Sequence, residues 1–366
     1  MLRPTPLALA ATSLAAAATA GVLVTAGLST RYSTDRSFEV SVALESSNEV
    51  LSSEFYVDGE PMDRGGFGGG GGSSTSISYS YTDTPKEVKE GTLTGVERAF
   101  DEVSATSERE GRDGPMETEA ESSFEGLTLL ITGADDESEV EIVDGDEPEG
   151  EGRLEGHRLS LPLDALLPEE AVEAGDTWDL EGEDLMAALG AGLEAKLIDR
   201  PERGGERGGE GRGGRGGRGG MRGGGARSGL GAIAGGDWSV TATYTEETEE
   251  AGGLECAVIS LEVEVEGTME ARMRGGRGGR GGGGGGALEL TPTLPQESTY
   301  SGEFEGKLLW SLAEERPVAF SFEGSYQVDM EVERESQRGL IEISRSTETT
   351  IEVTVEVAAG EVEDED

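Results

Sequence analysis

Phe38, Val40, Val42 and Leu44 alternate with polar residues, the two-residue period of a half-buried β-strand. A second strand is expected over 50–57. Ile77, Tyr79 and Tyr81 resume the alternation, and further strands are predicted at 92–105, 124–132 and 138–143, with turns at 133–136 and at Asp144–Gly145. Trp238, Val240, Ala242 and Tyr244 open a second β region. There Leu254, Cys256 and Val258 alternate until the parity slips to Ile259, Leu261, Val263 and Val265, as a β-bulge requires.

The C-terminal part carries the clearest pattern. Tyr300, Phe304, Leu308 and Trp310 share one face. Val318, Phe320, Phe322, Tyr326, Val328, Met330 and Val332 share a second, and Ile341, Ile343, Ile351, Val353, Val355 and Val357 a third. Strands of about 12–17 residues joined by short polar turns pair as an antiparallel meander, and strands that long belong in a curved sheet. The opposite faces carry glutamate at high density, so one side of the sheet is wet. The predicted fold class is all-β: a long curved antiparallel sheet or open half-barrel.

Two stretches break the period of two. Pro162 and Pro168 bracket a short turn or helix with Leu163, Leu166 and Leu167. Residues 182–197 place Leu185, Met186, Leu189, Leu193 and Leu197 at helical spacing, with Glu183 and Asp184 in the first turn and Lys196 near the end. One amphipathic helix is expected there, weakened by Gly190 and Gly192.

Composition divides the chain further. Glycine (60 of 366 residues) is about twice its usual share and is concentrated in runs at 65–72, 203–228 and 274–286, where disordered Gly/Arg-rich loops are expected. The domain reading is a leader at 1–28, an N-terminal β region with the helix at 31–200, an Arg-Gly insertion at 201–235, a C-terminal β region at 236–360 interrupted by loop 274–286, and an acidic tail at 361–366. In the leader, Arg3 precedes an uncharged Ala-, Leu- and Val-rich stretch from Leu7 to Leu28, with small residues at Ala18 and Ala20 and at Val24 and Ala26. These features predict a cleaved secretory signal, or a membrane anchor if the segment is retained. The body is then expected outside the cytoplasm, in the periplasm, the envelope or the extracellular space.

The net charge of −47 conceals a segregation. Arg203, Arg207, Arg212, Arg215, Arg218, Arg222 and Arg227 outweigh Glu206 and Glu210, and Arg272, Arg274, Arg277 and Arg280 form a second basic stretch. The remainder is more acidic still, repels nucleic acid and anionic lipid, and attracts cations and basic partners. Nucleic acid is therefore disfavoured despite the Arg-Gly repeats. Membrane contact is confined to the N-terminal segment, if uncleaved.

No catalytic motif is visible, and no catalytic, cofactor-binding or metal residue is assigned. Cys256 and His157 are each the sole residue of their kind, which leaves no internal disulfide and no His-based zinc site. Cys256 reads as a small buried residue on a strand. The acidic stretch 135–151 departs from a calcium loop at Pro148 and Glu149, where a ligand and a glycine are needed.

The stretch from Leu167–Pro168 through Val172 to Gly175–Asp176–Thr177–Trp178 resembles an element of uncharacterised secreted bacterial β-rich proteins. The stretch from Tyr300 to Tyr326, with Gly302, Gly306 and Gly324, is similar to their C-terminal strands. The resemblance covers 90–200 and 236–357, and the Arg-Gly insertions depart from it. It implies export and a β architecture and transfers no activity. The functional expectation is a non-enzymatic envelope or secreted binding or structural protein. Two alternatives are a carrier of a lipid or other apolar ligand in the sheet, and a surface protein whose Arg-Gly loops bind polyanions such as acidic polysaccharide.

Overall fold

The computed structural model describes residues 28–61, 72–111, 114–133, 138–148, 152–168, 170–191, 193–198, 229–271, 296–336 and 339–361. The N-terminal leader before Leu28, both Arg-Gly runs, most of the glycine run at 65–72, part of the acidic stretch 135–151 and the tail after Glu361 lie outside the described residues.

The described chain forms one open antiparallel sheet of thirteen strands that does not close into a barrel. In chain order the strands are β1 (Arg36–Val57), β2 (Glu60–Pro61), β3 (Ser73–Lys89), β4 (Thr92–Gly111), β5 (Gly114–Ala120), β6 (Thr128–Thr132), β7 (Glu139–Asp144), β8 (Thr177–Leu180), β9 (Asp237–Ala251), β10 (Leu254–Ala271), β11 (Gln296–Ser311), β12 (Arg316–Ser336) and β13 (Gly339–Glu361). Across the sheet they run β7-β6-β4-β3-β1-β13-β12-β11-β10-β9-β8, with β2 on β1 and β5 on β4. The meander expected over the C-terminal part is β11 to β13, and β10 and β9 continue it. The first long strand pairs with the last, Val40 opposite Val357 and Leu44 opposite Val353.

The two strands expected over 38–44 and 50–57 are one. β1 continues through a register shift between Val50 and Ser52, a bulge that turns the odd-numbered Phe55 and Val57 toward the face that Leu44 occupies upstream. No bulge interrupts β10 near Val258, contrary to expectation: it pairs with β11 without a break from Cys256 to Ala271, and the register shift beside it, Ala257 opposite Thr248 and Ile259 opposite Tyr244, puts the extra residues on β9. Plain alternation puts Ala257, Ile259, Leu261, Val263 and Val265 in the main core and Cys256 and Val258 on the opposite face, in a small second cluster with Leu309 and Val318. Val318, the extra residue of a register shift opposite Leu309 and Trp310, does not share the Phe320 face, contrary to expectation. The strand expected from 124 starts at Thr128, because Phe124 to Gly126 form a turn in which Phe124 is fully buried and Gly126 has φ 77°.

One face of the sheet is covered. Phe38, Tyr81, Val96, Phe100, Ile131, Leu261, Phe320, Phe322, Val353 and Val355 pack there against Leu159, Leu161, Leu163, Leu166, Leu185, Leu189, Leu197, Leu230 and Ile233 from the connecting segments. These segments contain a 3-10 turn at Pro162–Leu166 and three short helices, α1 (Gly182–Ala188), α2 (Glu194–Leu197) and α3 (Gly229–Ile233). The helix expected over 182–197 is thus two pieces. Gly190 takes φ 67° after α1, the left-handed conformation that ends helices, and a Cβ there would lie 2.6 Å from the Tyr79 hydroxyl. The leucine spacing was real, and the layer it serves is a broken one.

Candidate binding face

Alternation hands the other face of the sheet to the residues between the core positions, and register then decides which of them meet. Glu45 on β1 lies opposite Glu352 on β13. Glu352 lies opposite Glu323 on β12, Glu323 opposite Glu305 on β11, and Glu305 opposite Glu262 on β10. Five exposed glutamates therefore stand side by side across five neighbouring strands. With directly opposed Cβ atoms about 5 Å apart, the row is about 20 Å long. Ser76 and Thr106 extend it at the β1 end, and Thr241 and Asp179 at the β10 end.

Further carboxylates border the row. Glu303 faces Glu264 two residues along β11 and β10, and Glu49 faces Glu348. Lys307, two residues from Glu305 on β11, is held by Glu249 at 2.9 and 3.1 Å. Among the described residues no ion pair includes any of the five glutamates. Two grooves indent the same face. One is lined by Glu45, Ser47, Ser76, Thr106, Thr350 and Glu352, the other by Ser41, Ser78, Ser80, Glu102, Thr354 and Glu356. Both open onto hydroxyl and carboxylate groups.

Protein-family models and curated proteins offer no match to the sequence. The site must be read from its own chemistry. Like charges directly opposed across a sheet are destabilising, so a row of five is a local arrangement unfavourable to folding and favourable to a cation. Serine and threonine around it add hydroxyls that both donate and accept. No group of three or more His, Cys, Asp or Glu among the described residues is arranged as a metal cage. The face is suited to an extended cationic partner that meets many carboxylates at once.

The polar groups of the covered face are arranged differently: they fasten the covering layer to the sheet. Arg98 on β4 donates Nε and Nη2 to the two Asp83 oxygens at 2.7 Å each, and Nη2 also reaches the Arg158 carbonyl at 3.2 Å. Both side chains are almost fully buried. Burial pushes the Asp83 carboxyl upward against the pull of Arg98, while the bidentate geometry holds the two as an ion pair. The guanidinium also sits 4.3 Å from the centre of the Tyr81 ring. Nearby, Thr30 Oγ1 and Tyr32 OH donate to Asp164 in the 3-10 turn, and Tyr32 OH accepts the Leu161 N–H at 2.8 Å. Burial, with Asp164 beside it, raises the Tyr32 hydroxyl well above the usual phenol range.

His157 belongs to this layer. Its ring packs 5.9 Å from both Phe100 and Phe124, and among the described residues neither nitrogen has a hydrogen-bond partner. Burial, helped by Arg98 and Lys196, pushes its pKa down to about 3. Cys256 lies in the second cluster with its thiol raised by burial. The structure does not bring these two residues together. Gly175–Asp176 is the expected turn, with Gly175 at φ 97°, and Trp178 is a half-buried rim residue whose Nε1 donates to the Leu166 carbonyl at 3.3 Å. The glutamate row escaped sequence reasoning because its members are up to 307 positions apart (45 to 352) and meet only through register. Glutamate at every second position was the available signal.

Proposed function

We propose that the protein is an exported, non-enzymatic binding or structural component of the cell envelope or extracellular medium, and that its open acidic face takes up cationic partners. The observation that carries the reading is the in-register row Glu45–Glu352–Glu323–Glu305–Glu262 on an uncovered sheet face. Export is supported by the leader pattern. Cleavage at Ala20 or Ala26 would leave Leu28, Thr30 and Tyr32 to the folded body, where Leu28 is buried and the other two hold Asp164.

The carrier alternative needs a hollow beside the covered face. Leu163, Leu166, Leu185, Leu189, Leu230 and Ile233, each no more than 1% exposed, occupy that space with side chains, so it is the weaker reading. Polyanion binding would have to overcome the charge of the acidic face.

The test is equilibrium binding of a fluorescent nona-arginine peptide to the full chain at low salt. A variant with Glu45, Glu262, Glu305, Glu323 and Glu352 changed to Gln should bind at least about tenfold more weakly, a loss of about 1.4 kcal/mol. A charge-matched control with the loop and turn residues Glu90, Glu147, Glu155, Glu170 and Glu173 changed to Gln should bind nearly as the parent does. Equal losses in both variants would reduce the attraction to net charge and remove the face from the account.

A further inference from the structure

Segment 152–168 crosses the covered face without a strand of its own, and side chains from other elements hold it there by its main chain. Ser138 Oγ, just before β7, donates to the His157 carbonyl at 2.7 Å. Lys196 Nζ on α2 donates to the Glu155 carbonyl at 2.6 Å, and Arg98 Nη2 on β4 to the Arg158 carbonyl at 3.2 Å. These ties bring a cation to the chain on each side of His157. The His157 ring itself is wedged between Phe100 and Phe124, 1% exposed, with no described residue hydrogen-bonded to either nitrogen. We infer that segment 152–168 is an acid-released strap: when His157 takes a proton, the strap leaves β4 and the turn at Phe124 while the sheet stays folded. Nothing in this depends on the acidic face.

The surroundings leave an imidazolium without a counter-charge. Arg98 stands on β4, and the Asp83 carboxylate of β3 is already engaged by Arg98 through both oxygens. Lys196 stands on α2. Arg153, whose guanidinium lies 5.3 Å from the Phe124 ring centre, and Arg158 belong to the strap itself. The carboxylates of the adjoining turn, strand and strap, Glu125, Glu139 and Glu155, are exposed to solvent. Arg98 and Lys196 are the charges that act on His157, and both oppose its protonation. A buried charge among like charges, with no acceptor for its N–H groups, is costly. In the detached strap the same imidazolium is hydrated. Detachment gives up side-chain ties and a few packed rings while every strand pair stays, so it is cheaper than unfolding. His157 is then a switch in the range where free histidine titrates. Its release uncovers Phe100 and Phe124, and acid opens an apolar surface on the otherwise filled face.

Amide hydrogen exchange of the full chain, read by mass spectrometry at pH 7 and pH 5 and corrected for intrinsic rates, tests this. The detached ring titrates at 6.5 and the attached one at about 3, so the detached fraction should rise about 25-fold between the two conditions. The Leu161, Asp164 and Leu167 amides, hydrogen-bonded in the strap, should lose protection by that factor. Protection of β13 should change by less than about threefold. His157→Phe keeps an aromatic ring in the wedge and should hold strap protection nearly constant over the same range. Unchanged strap protection in the parent, an equal loss in β13, or the same loss in His157→Phe would each overturn the inference. A second readout needs no variant. His157 is the sole histidine, and its ring signals in the NMR spectrum of the folded parent should keep their neutral-form positions at pH 5. A midpoint near 6.5 in the folded protein would show the ring hydrated where it sits, and would remove the switch.

Discussion

Glycine and aromatic residues alternate across the β11–β12 pair, and the sizes fit only one way. Gly302 lies opposite Tyr326, Phe304 opposite Gly324, and Gly306 opposite Phe322. A Cβ on Gly324 would come 2.3 Å from the Glu303 carbonyl oxygen and 2.6 Å from Phe304 Cα, and Phe304 stacks on Phe322 at 5.1 Å. A strand glycine of this kind marks a close approach by a neighbour. Gly324→Ala is therefore expected to destabilise the fold by about 1–3 kcal/mol, read from urea unfolding. A second residue-scale prediction concerns His157. Its folded pKa of about 3 lies below the value of 6.5 for the free side chain. As pH falls through 6.5, the unfolded chain therefore binds a proton that the folded chain refuses. The stability due to neutral His157 is complete above pH 6.5 and declines toward pH 3, by up to about 1.4 kcal/mol per pH unit. The unfolding free energy of the parent should fall more between pH 7 and pH 5 than that of His157→Phe, and parallel pH profiles would refute the assignment. The Asp83–Arg98 pair gives the third. Asp83→Asn should cost about 3–5 kcal/mol by leaving a buried guanidinium without its counter-charge, and an unfolding free energy within 1 kcal/mol of the parent would show that the pair does not bind the layers together.

At the scale of elements, alternation made the strands legible and register remained hidden. Phe38 to Leu44, Trp238 to Tyr244 and Ile351 to Val357 follow the period of two and lie in the core as that period requires. The parity slip at Val258 was read as a bulge, but β10 is regular there and the slip is a change from an apolar cluster on one face to the core on the other. The slip between Val50 and Phe55 was read instead as a break between two strands, because a bulge within one strand and a turn between two disturb the pattern alike. β5 carries no alternating apolar face, and its burial is correspondingly slight, so nothing in its sequence separates it from a loop. The helix at 182–197 followed from correct leucine spacing, and Gly190, noted as a weakness, proved to be its end. Asp83 and Arg98 form a site element without a local signal, since charged residues on a strand read as solvent-facing until the covering layer is known. The glutamate row is the same problem across five strands. Its central member provides a test at this scale: Glu323→Gln should stabilise the unliganded protein by about 0.2–1 kcal/mol at low salt, by removing two like-charge neighbours. The gain should disappear at about 1 M salt, where screening acts within about 3 Å. A gain that persists in high salt would mean that packing, and not charge, is responsible.

For the whole molecule, the sheet divides into a covered face that supplies the stability and an open face that supplies the charge. Its edges are guarded: β7 carries Glu139, Glu141 and Asp144, and the end of β9 beyond its pairing with β8 carries Glu246, Glu247, Glu249 and Glu250. Charged edges discourage the strand-to-strand joining to which an open sheet is prone. With edges guarded and one face filled, the open face is the surface on which the proposed recognition rests. On the proposed reading, the glutamate row is unfavourable alone and favourable when a cationic ligand covers it. The most direct measurement is the urea midpoint of the parent and of the five-glutamine variant, each with and without saturating nona-arginine at low salt. Without peptide the variant should be the more stable of the two, and with peptide the parent should gain by far the more. A parent already as stable as the variant without ligand, or equal gains by both on adding peptide, would contradict it.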